Sequence, residues 1–161
     1  MPRVKKTENK EKEIQKRNNR FIYAVGKRKE AVARIKLYPN GGSELKKSLP
    51  AGRQGDIIVN GKKIEDYFPH QIQKTKYQEP LHITNTLGKY TFTVKISGGG
   101  ISSQLDALVL GISRVLSKFD SEKYRSILRK KGFLTRDARV RERRKVGMGG
   151  KSRRKRQSPK R

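Results

Sequence analysis

Seven large apolar residues between Ile101 and Phe119 restrict what this chain can fold into more than any other stretch. Ile101, Leu105, Leu108, Ile112, Val115, Leu116 and Phe119 recur at spacings of three and four, which lays one apolar stripe along a helix. Burying these side chains contributes on the order of 10–20 kcal/mol gross, before the entropy of ordering the chain is subtracted. The helix is therefore the main anchor of whatever core forms. Gly98-Gly99-Gly100 precedes it, and Ser103 with Asp106 fits a Ser-x-x-acid start signal. Asp120 is placed to cap a second helix, with Glu122 in its first turn. Tyr124, Ile127 and Leu128 form the inward face of that helix, Gly132 is its stop, and Phe133 and Leu134 pin the exit.

The partner for these helices is a small sheet. Phe21 to Val25 is a strand signal that stops at Gly26, with a basic turn after it at Lys27-Arg28-Lys29. Ala31, Ala33, Ile35 and Leu37 alternate with Val32, Arg34, Lys36 and Tyr38, a half-buried strand with Arg34 and Lys36 outward. Residues 43–55 read as a loop. Asp56 to Val59 is a further strand, closed by Asn60-Gly61. The next seven residues, Lys62 to Phe68, read better as a short helix or turn than as a return strand, and Pro69 ends them. From His70 to Leu87 the pattern is weak: Ile72, Leu81, Ile83 and Leu87 are the apolar anchors, and Pro80 is placed to begin a helix. Between Gly88 and Ile96, Tyr90, Phe92, Val94 and Ile96 share one face of a strand. The expected class is α+β, a small sheet covered by helices over residues 21–134. A basic N-terminal extension (1–20) and an extended basic tail (135–161) flank it.

The tail cannot join that core. Residues 136–161 hold thirteen Lys and Arg against Asp137 and Glu142, a net charge of +11. Too little of this segment is apolar to offset the entropy of ordering it, so alone in water it is expected to be a disordered, self-repelling arm. The whole chain carries +28 over 161 residues, which argues for a polyanionic partner. Nucleic acid is the commonest such partner and an anionic membrane surface is the rival. Extended, the arm spans about 85–90 Å at roughly 3.3–3.6 Å per residue, long enough to thread into a large assembly. Its arginines suit bidentate phosphate contacts. Residues 26–34 offer a second grip, a basic turn between paired strands. The Gly triplet admits two readings, a phosphate cradle at a helix N-terminus or a tight turn that allows close packing.

Other functions find little footing. There is no cysteine, hence no disulfide or thiolate metal site. His70 and His82 stand twelve apart with no metal spacing, and Asp56, Glu65, Asp66 and Asp106 form no paired-carboxylate pattern. The Gly triplet is not part of a GxxxxGK[ST] loop. No apolar run approaches the roughly eighteen residues of a transmembrane helix, and the N-terminus lacks the apolar core of a secretory signal. The expectation is a soluble, intracellular protein without a cofactor.

Four motifs together carry a resemblance: GKRKEAVAR (26–34), VNGKK (59–63) with Tyr67-Phe68, GGGISSQLDALVLGISR (98–114), and TRDARVRERRKVG (135–147) leading to a basic run. In combination they resemble the bacterial small-subunit ribosomal protein S-nine family. The resemblance implies a left-handed β-α-β crossover and residence in the head of the small ribosomal subunit, in the cytoplasm, beside neighbouring head proteins. It further implies a tail that threads through small-subunit ribosomal RNA, with its tip at the anticodon stem-loop of peptidyl-site tRNA. On that basis Lys27, Arg28, Lys29 and Arg34 contact ribosomal RNA, as do Arg136, Arg139, Arg143, Arg144, Lys145, Lys151, Arg153, Arg154, Lys155 and Arg156. Lys160 and Arg161 contact the tRNA. The family commonly ends Gln-aromatic-Ser-Lys-Arg, whereas this chain has Gln157-Ser158-Pro159-Lys160-Arg161. Pro159 supplies neither an amide N–H nor a hydroxyl. The loop at 43–55 and the first twenty residues also extend beyond the usual pattern.

Two other classes are worth weighing. A similar fold occurs among small-molecule kinases, but that is an analogy of fold and leaves the tail without a purpose. A DNA-compacting protein fits the charge and not the ordered motifs, and charge alone does not separate RNA from DNA.

Overall fold

The computed structural model describes residues 21–39, 55–144 and 146. The first twenty residues, nearly all of the 43–55 loop and the tail beyond Val146 lie outside the described residues. The element order is β1 (Ile22–Arg28), β2 (Ala31–Tyr38), β3 (Ile57–Val59), β4 (Lys62–Lys63), α1 (Ile64–Tyr67), α2 (Gln71–Ile83), β5 (Thr91–Ser97), α3 (Ile101–Phe119) and α4 (Ser121–Lys130). These strands make one mixed sheet in the order β1-β2-β5-β3-β4. Among the described strands, β3 and β5 alone pair in parallel. Their connection runs through β4, α1 and α2. The class is α+β, with α3 laid across one face of the sheet.

One contact governs how closely α3 approaches. Gly26 pairs with Ala33 in mid-strand, so β1 does not stop at this glycine but continues to Arg28. A Cβ on Gly26 would stand 2.6 Å from the backbone nitrogen of Gly111 on α3 and would also collide with the Ala107 carbonyl. Opposite it, a Cβ on Gly111 would meet the Ile35 side chain at 2.6 Å. The glycine in β1 thus marks a helix backbone crossing a strand backbone and not a turn.

Under that crossing, Ala24, Ala31, Ala33, Ile35 and Leu37 from the hairpin pack with Phe92, Val94 and Ile96 of β5 and Leu105, Leu108, Ile112, Val115 and Leu116 of α3. Alternation along β2 and β5 behaves as the period of two requires. The apolar stripe of α3 is wider than expected. Ala107, Val109, Leu110, Gly111 and Ser113 are buried too, because other helices cover the side away from the sheet. Ile101, counted in the stripe, is 60% exposed. It stands in the first turn, before α3 reaches the sheet.

Three further expectations change. Asn60-Gly61 does turn the chain into a short return strand, with Ile58 opposite Lys63 and Val59 opposite Lys62, before α1 begins. Asn60 takes the left-handed backbone (φ 49°) that Asn tolerates. Its side chain also bonds to both backbone groups of Ile96, accepting from the N–H (2.9 Å) and donating to the carbonyl (3.0 Å). Second, Pro80 lies inside α2 and does not start it. That helix buries Tyr77, Pro80 and Leu81, one i, i+3, i+4 face, and leaves Ile72 83% exposed. Third, Ser103 and Asp106 form no capping box: Gly100 is the N-cap of α3 and makes no side-chain cap bond.

The second helix is capped as read. Asp120 accepts from the Lys123 N–H at 3.1 Å. At the other end, Gly132 (φ 78°) donates to Arg129 O and Phe133 to Leu128 O, the paired bonds of a Schellman motif. Of its expected inward residues, Leu128 is fully buried, while Ile127 is 40% exposed.

The Gly26 contact yields a test by urea unfolding. Gly26→Ala is expected to cost about 1–3 kcal/mol or more, the overpacking range. Gly100→Ser, at an N-cap with open space around it, is expected to be neutral or slightly stabilising. Equal midpoints for wild type and Gly26→Ala would contradict the close crossing.

Candidate nucleic-acid interface

Residues 27, 28 and 29 are adjacent in sequence, but the strand period sends them in three directions. Even-numbered β1 residues face α3 and odd-numbered ones face solvent. Lys27 is exposed on the open side of the sheet. Lys29 stands in the two-residue turn between Arg28 and Ala31, with φ 50°. This is a backbone conformation an ordinary L-residue adopts at some cost.

Arg28 points the other way, toward α3, and its side chain is only 13% exposed. Its Nε lies 3.5 Å from Asp106 Oδ2 on α3. Its Nη2 lies 3.1 Å from Asp137 Oδ2 at the root of the tail. Its Nη1 donates to the backbone oxygens of Asp137 (3.2 Å) and Arg139 (2.7 Å). One guanidinium thus joins the end of β1, the first third of α3 and the start of the tail. The planar fork of Arg makes so many simultaneous contacts possible.

Both acids in this cluster are held from a second side. Lys76 on α2 reaches Asp106 Oδ1 at 2.6 Å. Arg139 grips Asp137 with Nε (3.0 and 3.1 Å) and Nη2 (2.7 Å), while its own N–H donates to Asp137 Oδ1 at 3.0 Å. The Arg139 hydrogen bonds, with the charge of Arg28 beside them, hold the Asp137 carboxyl well below the usual carboxylate range. The cluster is a latch. It fixes residues 137–139 against the domain although 136–144 form neither helix nor strand.

Beyond the latch the chain turns basic and exposed. Arg136, Arg139, Arg143 and Arg144 lie on the surface, with Val140 67% exposed between them. Arg34 is exposed on the open sheet face, paired across strands with Val25 and Lys95. Lys145, Lys151, Arg153, Arg154, Lys155, Arg156, Lys160 and Arg161 lie outside the described residues. At the Gly triplet the packing reading accounts for two positions. A Cβ on Gly98 would sit 2.6 Å from Glu30 O, and one on Gly99 would sit 3.0 Å from the Ala31 Cβ.

With this geometry in place, comparison with known sequences is decisive. The profile described as "Ribosomal protein S9/S16" matches residues 26–161. The chain belongs to the ribosomal protein S9/S16 family. A relative from Maridesulfovibrio salexigens, named small ribosomal subunit protein uS9, is 46% identical over 130 residues, which span 81% of this chain and 89% of the relative. Proteins of the same name from Lawsonia intracellularis (43% over 128 residues; 80% and 88%) and Renibacterium salmoninarum (43% over 125 residues; 78% and 67%) are similar to it as well. This is a family of ribosomal proteins and not of enzymes. Among the described residues no group of His, Asp and Glu is arranged to hold a metal ion, and no helix is long and apolar enough to cross a membrane.

The S9/S16 membership gives the latch its context, because the family match begins at Gly26 and includes Arg28, Asp106 and Asp137. In the sequence, Arg28 reads as an RNA contact like its two neighbours. The structure turns its guanidinium inward, onto Asp106 and Asp137. Asp106 and Asp137 went unrecognised because isolated carboxylates resemble minor corrections to a large positive charge. The available signal was Asp137 itself, an acid two residues from Arg139 inside a basic run.

The latch carries a pH prediction. Since the folded value of Asp137 is depressed, its contribution is fully present above the ordinary Asp value of 3.8 and is lost only as pH falls below that, through the folded value. A carboxyl-carbon NMR titration should find Asp137 still ionised at pH 3.8, and Arg28→Ala should abolish hydrogen-exchange protection of the Arg139 amide. Half-protonation of Asp137 at that pH, with unchanged protection in Arg28→Ala, would contradict the latch.

Proposed function

We propose that this protein is a structural constituent of the head of the small ribosomal subunit, in the cytoplasm, and that it binds small-subunit ribosomal RNA. The observation that carries this reading is the latched tail root: a folded domain holds an acid-poor arginine chain at one fixed point and presents it outward. In this proposal residues 21–134 are the anchoring domain and 135–161 the RNA-binding tail. Lys27, Lys29 and Arg34 on the domain meet ribosomal RNA, together with the tail residues from Arg136 to Arg156. Arg28 serves them by fixing the tail's point of departure. Lys160 and Arg161 reach the anticodon stem-loop of peptidyl-site tRNA. The resemblance supports that assignment, as it does contacts with neighbouring head proteins and a left-handed sense for the connection from β3 to β5.

A salt series tests the proposal. Each phosphate neutralised contributes roughly 0.7–0.9 to the slope of log K against log salt. Truncation after Arg144 removes eight Lys and Arg residues, so the slope for small-subunit ribosomal RNA should become shallower by several units. Removal of Lys160 and Arg161 alone should leave assembly intact and weaken peptidyl-site tRNA binding in purified subunits. A flat salt response of the full chain would overturn ribosomal-RNA binding. Unchanged tRNA affinity after removal of the tip would overturn the tRNA contact.

A further inference from the structure

The sheet has two faces, and α3 covers one of them. The other, over β1, β2 and the second half of β5, has no helix on it among the described residues. It presents Tyr23, Val25 and Lys27 from β1, Val32, Arg34, Lys36 and Tyr38 from β2, and Lys95 and Ser97 from β5. Its basic residues are close neighbours by register. Lys36 pairs with Tyr23, Arg34 with Lys95, and Lys27 with Val32. None of the three strands contains Asp or Glu. On the α3 side, by contrast, the basic Arg28 is met by Asp106 and Asp137.

Aromatic rings stand among these charges. Tyr23, near the start of the edge strand, is 42% exposed. At the same end Phe21, 36% exposed, contacts Tyr38 with ring centroids 6.0 Å apart, and Lys36 Nζ lies 4.6 Å above the Phe21 ring. Exposed aromatics on a sheet, interleaved with Lys and Arg, suit a strand of unpaired nucleotides: bases stack on rings while phosphates meet cations. The chain's own undescribed segments are poor occupants of this face. Residues 1–20 carry eight basic and three acidic residues, residues 40–54 three and one, and residues 147–161 seven and none. All are net positive and are repelled by a positive face.

We propose that this open sheet face is a second RNA-binding surface, distinct from the tail, which takes an unpaired stretch of ribosomal RNA. Arg34, Lys36 and Lys95 hold its phosphates, and Tyr23 stacks on a base. The proposal rests on the ribosomal-RNA reading above, which already includes Lys27 and Arg34 of this face, and adds Lys36, Lys95 and Tyr23 and a mode of recognition.

The experiment measures binding of the full chain to purified small-subunit ribosomal RNA across a salt series. It compares wild type, the triple variant Arg34→Gln/Lys36→Gln/Lys95→Gln, Tyr23→Ala, Tyr23→Phe and the chain truncated after Arg144. All substituted side chains are exposed, and urea midpoints confirm that each variant folds. The triple variant should lose about 2 from the salt slope, at roughly 0.7–0.9 per phosphate. Tyr23→Ala should lose roughly 5- to 150-fold in affinity, the range for one stacked base, with the slope unchanged and Tyr23→Phe near wild type. A photocrosslinker at Lys95 should join to RNA in reconstituted subunits. Suppose the truncated chain weakens as expected while the triple variant and Tyr23→Ala bind as wild type does. The sheet-face proposal then fails and the ribosomal-RNA reading survives. A wild-type chain that does not bind the RNA overturns both. Crosslinks from Lys95 to protein alone overturn the proposal in favour of a neighbouring protein on this face.

Discussion

The backbone contact between Gly26 and Gly111 is the constraint on which the rest of this structure depends. With no side chain on either residue, α3 lies so close to β1 that a Cβ on Gly26 would stand 2.6 Å from the Gly111 nitrogen. The contact also fixes how far along the strand the helix sits. Asp106, five residues before Gly111, then falls opposite Arg28 at the end of β1. In the other direction Arg114 and Lys118 reach the outward carbonyls of Val25 (2.9 Å) and Tyr23 (3.1 Å). β1 is an edge strand, and these two side chains occupy carbonyls that a foreign strand would need. One pair of glycines thus positions both the latch and the protection of the edge.

The same geometry sorts the charges. Several carboxylates among the described residues are engaged by cations of the chain: Glu65 by Lys74, Asp106 by Arg28 and Lys76, Asp120 by Lys123, and Asp137 by Arg28 and Arg139. Most of these pairs lie at the surface, where ion pairs contribute little to stability. Their importance here is positional. The cations left facing outward on β1, β2, β5 and the tail root then define a field directed away from the core. A polyanion meets that field with few carboxylates in its path.

What was legible in the sequence came from local physics. The alternation in β2, the long apolar stripe of α3, the Asp120 cap and the Gly132 stop each depend on a few neighbouring residues, and the structure reproduces them. The weak stretch at 70–87 became α2 because its buried face rests on Tyr77, Pro80 and Leu81, a tyrosine and a proline that do not stand out as core-forming. Gly26 resembled a strand end because only tertiary packing shows that a helix crosses it. Arg28 resembled one of three equivalent phosphate ligands until strand parity turned it toward α3. Asp106 and Asp137 lie far apart in sequence, and no local pattern joins them. The family assignment, in contrast, was legible because four spaced motifs had to coincide.

In the proposed role, the folded domain holds the tail at its root so that the tail enters ribosomal RNA along one path. Directed hydroxyl-radical probing tests this, with an iron chelate tethered at position 136 in reconstituted small subunits. A latched root predicts a sharp, local set of ribosomal-RNA cleavages from the wild-type chain, and a weaker, more diffuse set when Arg28 is replaced by Ala. No cleavage from position 136, or the same sharp pattern with and without Arg28, would contradict it.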